Sequence, residues 1–180
     1  MSDFLNETIS TIHNRKTVRD FTDKPVPEEL LMVLVKAGMA APTAVNSQPW
    51  EFIVVKDKSK MKKLAESLQF SRMLDSATAA ILVCTSPNKS KDKDVNYAII
   101  DATLASENIL LAAESLGLGG AWVAIFPKES VIDYIRSEFD IPENIIPLNI
   151  IPLGYPVGNE KPKNKYNSDV IHFEKWNNKK

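Results

Sequence analysis

Residues 95–126 read VNYAIIDATLASENILLAAESLGLGGAWVAIF, and this run decides the fold. Its first part, Val95 to Leu116, carries the longest helical pattern in the chain. Alanine and leucine dominate it and apolar residues occupy most of its circumference. A helix of that kind belongs inside a protein rather than on its surface. Gly117 stands where a helix ends on a left-handed C′ residue. From Gly119 the pattern changes to the branched and aromatic content of a strand, GGAWVAIF. A buried helix that feeds a strand through a glycine turn predicts layers of both kinds around one core.

The flanks extend the same reading. Downstream, Pro127 opens the helix PKESVIDYIRSEF, and IIPLNIIPLG is a strand whose prolines favour an edge or end position. The last stretch, NEKPKNKYNSDVIHFEKW, is polar with a weak strand at its end. Upstream, ATAAILVCTS reads as a well-buried strand, SPNKSKDKD as a charged surface loop, WEFIVVK as a strand and KSKMKKLAESL as a short amphipathic helix. VPEELLMVLVKAGMAAP is a helix with Pro27 in its first turn. Glu28 and Glu29 sit at its positive end, and it stops before Pro42. Asp3 to Ile12 forms a helix with Phe4, Leu5, Thr8, Ile9 and Ile12 on one face and Ser2 or Asp3 as its N-cap. The sum is an α+β protein, a mixed α/β sandwich, with residues 1–180 as one domain and no repeat or linker. The tail VIHFEKW is too apolar to float free and should pack on something, a neighbouring chain included.

Composition narrows the function. Hydrophobic residues make up 44% and charged residues 25%, as in an ordinary soluble domain. A net charge of −1 argues against a general nucleic-acid binder. Cys84 is the single cysteine and lies in an apolar run, so it reads as an inert buried thiol with no disulfide or zinc partner. No apolar run approaches the roughly 20 residues of a membrane-spanning helix. No secretory pattern is visible, and the expected home is the cytoplasm. His13 and His172 are the only histidines, and no Ser/His/Asp or metal-ligand cluster stands out. No catalytic side chain and no metal are therefore expected.

Three segments can carry chemistry. In NRKTVRDF, Arg15, Lys16, Thr17 and Arg19 can present a fork of donors and positive charge to one phosphate, or form a wet surface cluster. In AAPTAVNSQPWEF, the amides of Asn46 and Gln48 can read the edge of a uracil-like ring, or the segment is a plain connector anchored by Trp50. In LGLGGAWVAIF, Gly119 and Gly120 permit close approach to the backbone, although a dinucleotide turn would follow a strand, not a helix.

Taken in order, RKTVRDF, APTAVNSQPWEFIVV, ESLGLGGAWVAIF, IIPLGYP and the tail VIHFEKW resemble the nitroreductase family of FMN-dependent oxidoreductases. The resemblance implies a central, mostly antiparallel sheet flanked by helices, in an intertwined homodimer with FMN at the interface. It implies that residues 155–180 pack on the partner chain. Arg15, Lys16, Thr17 and Arg19 match the family's phosphate-and-ribityl segment. Pro42, Thr43, Ala44, Val45 and Asn46 match the segment that covers the flavin from the partner, with Gln48 beside them. Trp122, Val123 and Ala124 match the strand next to the isoalloxazine, and Gly119 and Gly120 shape the approach to it. Arg72 resembles the basic position at the flavin N1/O2 edge, with Gln69 as an amide neighbour. Many relatives have arginine at Lys16 and serine at Thr17, and paired arginines where Lys163 and Lys165 stand in for phosphate contacts.

The implied chemistry is hydride transfer from NAD(P)H to flavin N5 and on to a small-molecule acceptor such as a nitroaromatic or quinone. The protein supplies positioning and electrostatics. The alternatives are a flavin store with little turnover, a specialised reductase or dehalogenase, and a nucleotide-binding regulatory module.

Overall fold

The computed structural model describes residues 6–179. Its elements are α1 (Glu7–Asn14), α2 (Glu28–Met39), β1 (Trp50–Val55), α3 (Lys58–Ser67), α4 (Met73–Ser76), β2 (Ala79–Thr85), α5 (Val95–Ser115), β3 (Gly119–Gly120), β4 (Val123–Ala124), α6 (Glu129–Phe139) and β5 (Ile146–Gly154). The strands form one sheet in the order β1-β2-β5-β3, with β4 also on β5, and every named pairing is antiparallel.

All seven residues of β2 are buried, because helices cover both faces of the sheet. Ala79, Ile81 and Val83 face one way, into a cluster with Leu31 and Leu34 of α2 and Ile109 and Leu110 of α5. Ala80, Leu82 and Cys84 face the other way, among Met61 and Leu64 of α3 and Ile132 and Ile135 of α6. The two-residue period of the strand thus assembles two cores from one segment. Each fully buried Leu or Ile contributes about 1.5–3 kcal/mol. Burial also accounts for Cys84, whose thiol is pushed up to about 12 chiefly by desolvation, with the Glu51 charge adding to it. The thiol stays protonated at neutral pH, as an inert residue should.

Helix α5 is the central helix that the periodicity predicts. It begins on the Asp94 cap, whose side chain accepts from the Asn96 N–H, and ends at Gly117 with φ +71°. Helix α1 starts later than expected, at Glu7, because the Asn6 side chain accepts from the Ile9 N–H at 3.0 Å. The earlier candidates Ser2 and Asp3, and the face residues Phe4 and Leu5, lie outside the described residues.

Two strand expectations are corrected. The proline-bearing strand β5 is not an edge: it lies between β2 and the β3/β4 pieces and is buried along almost its whole length. Its prolines are tolerated for local reasons. Pro147 sits at the register shift opposite Val83/Cys84. Leu153 turns its carbonyl to the Thr78 N–H, so alternation turns Pro152 the other way, toward Ala121. Pro152 has no N–H to give there. This explains why GGAWVAIF is not one continuous strand. Gly120 pairs with Leu153 and Val123 with Ile150 in one shared register, and the ladder lapses at Ala121 and Trp122, opposite Pro152 and Ile151. The second correction is the tail, where no strand forms beyond Gly154 among the described residues. Ser168–Val170 is a single 3-10 turn, and residues 161–171 are exposed with no neighbouring strand to pair with.

Apolar side chains remain uncovered in this single chain. They include Tyr97, Ile100 and Leu104 along one stripe of α5, Met32, Val33 and Met39 on α2, and Val170 and Trp176 in the tail. A stripe at helical spacing that faces water is a surface built to meet something else.

Candidate active site

The cationic run leaves α1 at Arg15 and lies along the glycine strand. Thr17 bridges Gly120 in parallel, and the Val18 N–H donates to the Gly120 carbonyl at 3.0 Å. Gly119 makes this possible: a Cβ there would sit 2.6 Å from Val18 Cβ. The glycine pair therefore admits Val18 of its own chain, and the close approach expected of a ligand is made first by protein. Gly120 is hemmed in by Leu110, Leu153 and Ile151.

The three cations of the run separate into two kinds. Lys16 Nζ donates to both carboxylate oxygens of Glu114 on α5, at 3.0 and 3.1 Å, and Arg15 Nε lies 3.5 Å from Glu107 Oε1 on the same helix. These two cations fasten the run to α5. Arg19 differs: among the described residues its guanidinium has no hydrogen-bond or ion-pair partner. It lines a cleft of about 580 Å³ with Phe70, Arg72 and the acids Asp20 and Asp75, and the Arg72 guanidinium is likewise unpartnered among the described residues. The structure thus brings together Arg19 and Arg72, two residues 53 positions apart in the chain. Gln69 is exposed on the turn before Phe70.

The backbone of the run is held from the base of the tail. The Arg19 N–H donates to Glu160 Oε1 at 2.9 Å, and the Val157 N–H donates to the Asp20 carbonyl at 3.1 Å. Desolvation pushes the Glu160 carboxyl up, but it is outweighed by backbone hydrogen bonds from Arg19, Glu160 and Asp20 and by the Lys16 charge. Glu160 therefore titrates below the usual range and is ionised at neutral pH. Lys163 and Lys165, a few residues on, are exposed and have no partner among the described residues.

Beside Val18 the sheet edge is open. Gly120 turns its carbonyl outward to Val18, and alternation sends the backbone groups of Trp122 and Ala124 the same way, while Val123 is buried. Trp122 and Ala124 are both exposed. This edge can offer backbone donors to a flat polar ring.

The segment 42–48 is elsewhere. It forms a 3-10 turn at Ala44–Asn46, tied to α5 by Asp101, whose carboxylate accepts from the Ala44 N–H at 3.1 and 3.3 Å and from the Ser47 hydroxyl at 3.3 Å. Along α5, Asp101 and Glu114 stand 13 residues apart, which is about 20 Å of helix. Among the described residues no hydrogen bond or ion pair joins Pro42, Thr43, Ala44, Val45, Asn46 or Gln48 to the cationic run. Asp101 itself is 2% exposed and was missed in the sequence. The available signal was an acid set among the small buried residues Ala98, Ala102 and Ala105 of the helix.

The profile of the nitroreductase family matches residues 12–69 and 67–155. This chain belongs to the nitroreductase family. A protein of Methanothermobacter thermautotrophicus, provisionally named an NADH dehydrogenase/NAD(P)H nitroreductase, is 40% identical over 94% of the chain and 88% of its own length. The crystal structure of a protein with the same provisional name from Parabacteroides distasonis superimposes with a TM-score of 0.91 at 46% identity, over 96% of this chain and all of that one. An FMN-dependent nitroreductase of Clostridium difficile gives a TM-score of 0.85 at 29% identity, over 93% and 99%. The antiparallel sheet between helical layers is the nitroreductase fold. Among the described residues no helix is long and apolar enough to cross a membrane, and no group of acids, histidines and cysteine is placed to hold a metal.

Proposed function

We propose that this nitroreductase-family chain is an oxidoreductase that binds FMN, takes hydride from NADH or NADPH and delivers it to a small activated acceptor such as a nitroaromatic or quinone. The observation that carries the reading is the cleft that Arg19 and Arg72 line together, where neither guanidinium is ion-paired among the described residues although Asp20 and Asp75 also line it. The names of its relatives, which include both an FMN-dependent enzyme and NAD(P)H nitroreductases, support it.

The residues present fit FMN. Its phosphate carries close to two negative charges, by analogy with a phosphorylated side chain, and the Arg19 guanidinium, unpartnered among the described residues, suits it. When bound, FMN supplies the atom that accepts and returns hydride. The chain supplies the rest. Arg19 holds the anionic end, with Thr17 offering a hydroxyl. Arg72 stabilises negative charge at the ring edge. The outward backbone of Trp122 and Ala124 fixes the ring. Arg15 and Lys16, through Glu107 and Glu114, keep the segment on α5. No side chain need act as nucleophile or proton relay.

The same reading includes a homodimer with shared sites. The 42–48 segment is tied to α5 at Asp101 and lines no part of the Arg19–Arg72 cleft, and the uncovered stripes on α2 and α5, with the apolar tail, give a second copy a surface to bury. The arm 155–180 packs on the partner. A chain ended at Glu160, which keeps the Arg19 contact, should sediment as a weaker dimer or a monomer and lose FMN more readily. An unchanged sedimentation coefficient at micromolar concentration would count against the arm.

The deciding experiment is spectroscopic. Protein saturated with FMN and mixed without oxygen with NADH or NADPH should lose its flavin bands within minutes with at least one donor. A nitroaromatic should restore them. Bound flavin that stays oxidised with both donors points to a store, and a protein that takes up no FMN overturns the reading.

A further inference from the structure

We propose that Asp101 is a positioning residue that sets the 43–48 loop in its flavin-covering shape before any ligand arrives. The proposal rests on the flavin reading above. The loop has an unusual backbone: Val45, Asn46 and Gln48 all have positive φ, at 50°, 57° and 49°. That region is disfavoured for residues with a side chain, and most of all for a branched one such as Val45. A run of this kind persists only where its surroundings over-determine it.

Asp101 is the over-determining group. It is 2% exposed, and a buried carboxylate is costly unless hydrogen bonds satisfy it. Its two oxygens accept the Ala44 N–H and the Ser47 hydroxyl, one on each side of the left-handed pair. The loop closes on itself around that anchor. The Gln48 N–H donates to Thr43 Oγ1 at 3.2 Å, and Gln48 Nε2 donates to Asn46 Oδ1 at 3.0 Å. The outcome is a rigid tip with Val45 75% exposed and Asn46 beside it, both turned away from their own core. A carboxylate on the central helix thereby fixes an apolar side chain and an amide at set positions on the molecular surface. Preorganisation of this sort lowers the ordering cost of binding.

The test compares Asp101→Ala and Asp101→Asn with the wild type. Asparagine keeps an acceptor for the Ala44 N–H, and its amide can donate to Ser47 Oγ. Hydrogen exchange of the Ala44 amide in the flavin-free protein should speed up about tenfold or more in the alanine variant and stay within about threefold in the asparagine variant. The FMN dissociation constant should rise about tenfold in the alanine variant, with a displaced visible flavin band, and asparagine should restore both. Unchanged exchange overturns the clamp. Faster exchange with unaltered FMN affinity and spectrum overturns the positioning role and leaves a structural anchor. Where Asp101→Ala does not fold, Ser47→Ala removes one contact and should raise the dissociation constant about threefold, and no change there overturns the proposal. A wild type that binds no FMN fails the flavin reading and the purpose given to the loop, while the exchange arm still decides whether Asp101 presets it.

Discussion

Replacing Arg19 and Arg72 together by alanine should weaken FMN binding by about a hundredfold or more and leave the fold intact. Among the described residues neither guanidinium has a partner, so neither supports the fold, and both are exposed at the same cleft. A hydrogen bond to a charged group contributes about 1.5–3 kcal/mol. Two such losses correspond to roughly 10² to 10⁴ in the dissociation constant. The paired cations give the contrast. Lys16→Ala strips Glu114 of its partner and should act on stability as much as on affinity, since that carboxylate is itself largely covered. Titrating FMN fluorescence against each variant, with denaturant midpoints alongside, separates the two effects. A double variant that still binds FMN as the wild type does would remove the cleft from the proposed site.

Gly119→Ala should destabilise the protein by about 1–3 kcal/mol, the usual cost of overpacking a tight site, and should loosen FMN at the same time. The new Cβ would stand 2.6 Å from both Cβ and Cγ2 of Val18, and Val18 is fully buried. A branched side chain cannot swing clear as a long flexible one would. Relief comes only by moving the backbone of residues 17–19, whose hydrogen bond to Gly120 holds the cationic run in place. Arg19 would then be displaced from the cleft it shares with Arg72. Chemical denaturation and FMN titration on one preparation read both consequences. A variant with wild-type stability would show that the segment yields without cost, and its separation from the glycine strand would no longer explain why glycine stands there.

The helices were legible because their apolar residues recur at helical spacing and their ends carry chemical marks. Gly117 ends α5 in a left-handed turn that does not depend on the rest of the fold. The buried strand β2 was legible from a short apolar run with branched residues, whose length suits a strand better than a helix. Pairing was not legible in the same way. IIPLNIIPLG looked like an edge because its prolines remove donors, yet it is central. Which neighbour lacks a donor depends on register, and register is a property of two strands. The tail forms no strand for the same reason, since no strand of the described residues lies in register beside it.

The site divides along the same line. From the sequence alone came the residue types, the order of the segments and the family they resemble, since charge, amide groups and glycine are properties of each residue where it stands. Only the tertiary structure decided which cations are free. Arg15 and Lys16 meet acids on α5, Arg19 meets Arg72 across a cleft, and Asp101 reaches a loop more than 50 positions away. Ion pairing and burial are fixed by distances through space, and the chain's linear order does not contain them until the sheet and the central helix have brought its segments side by side.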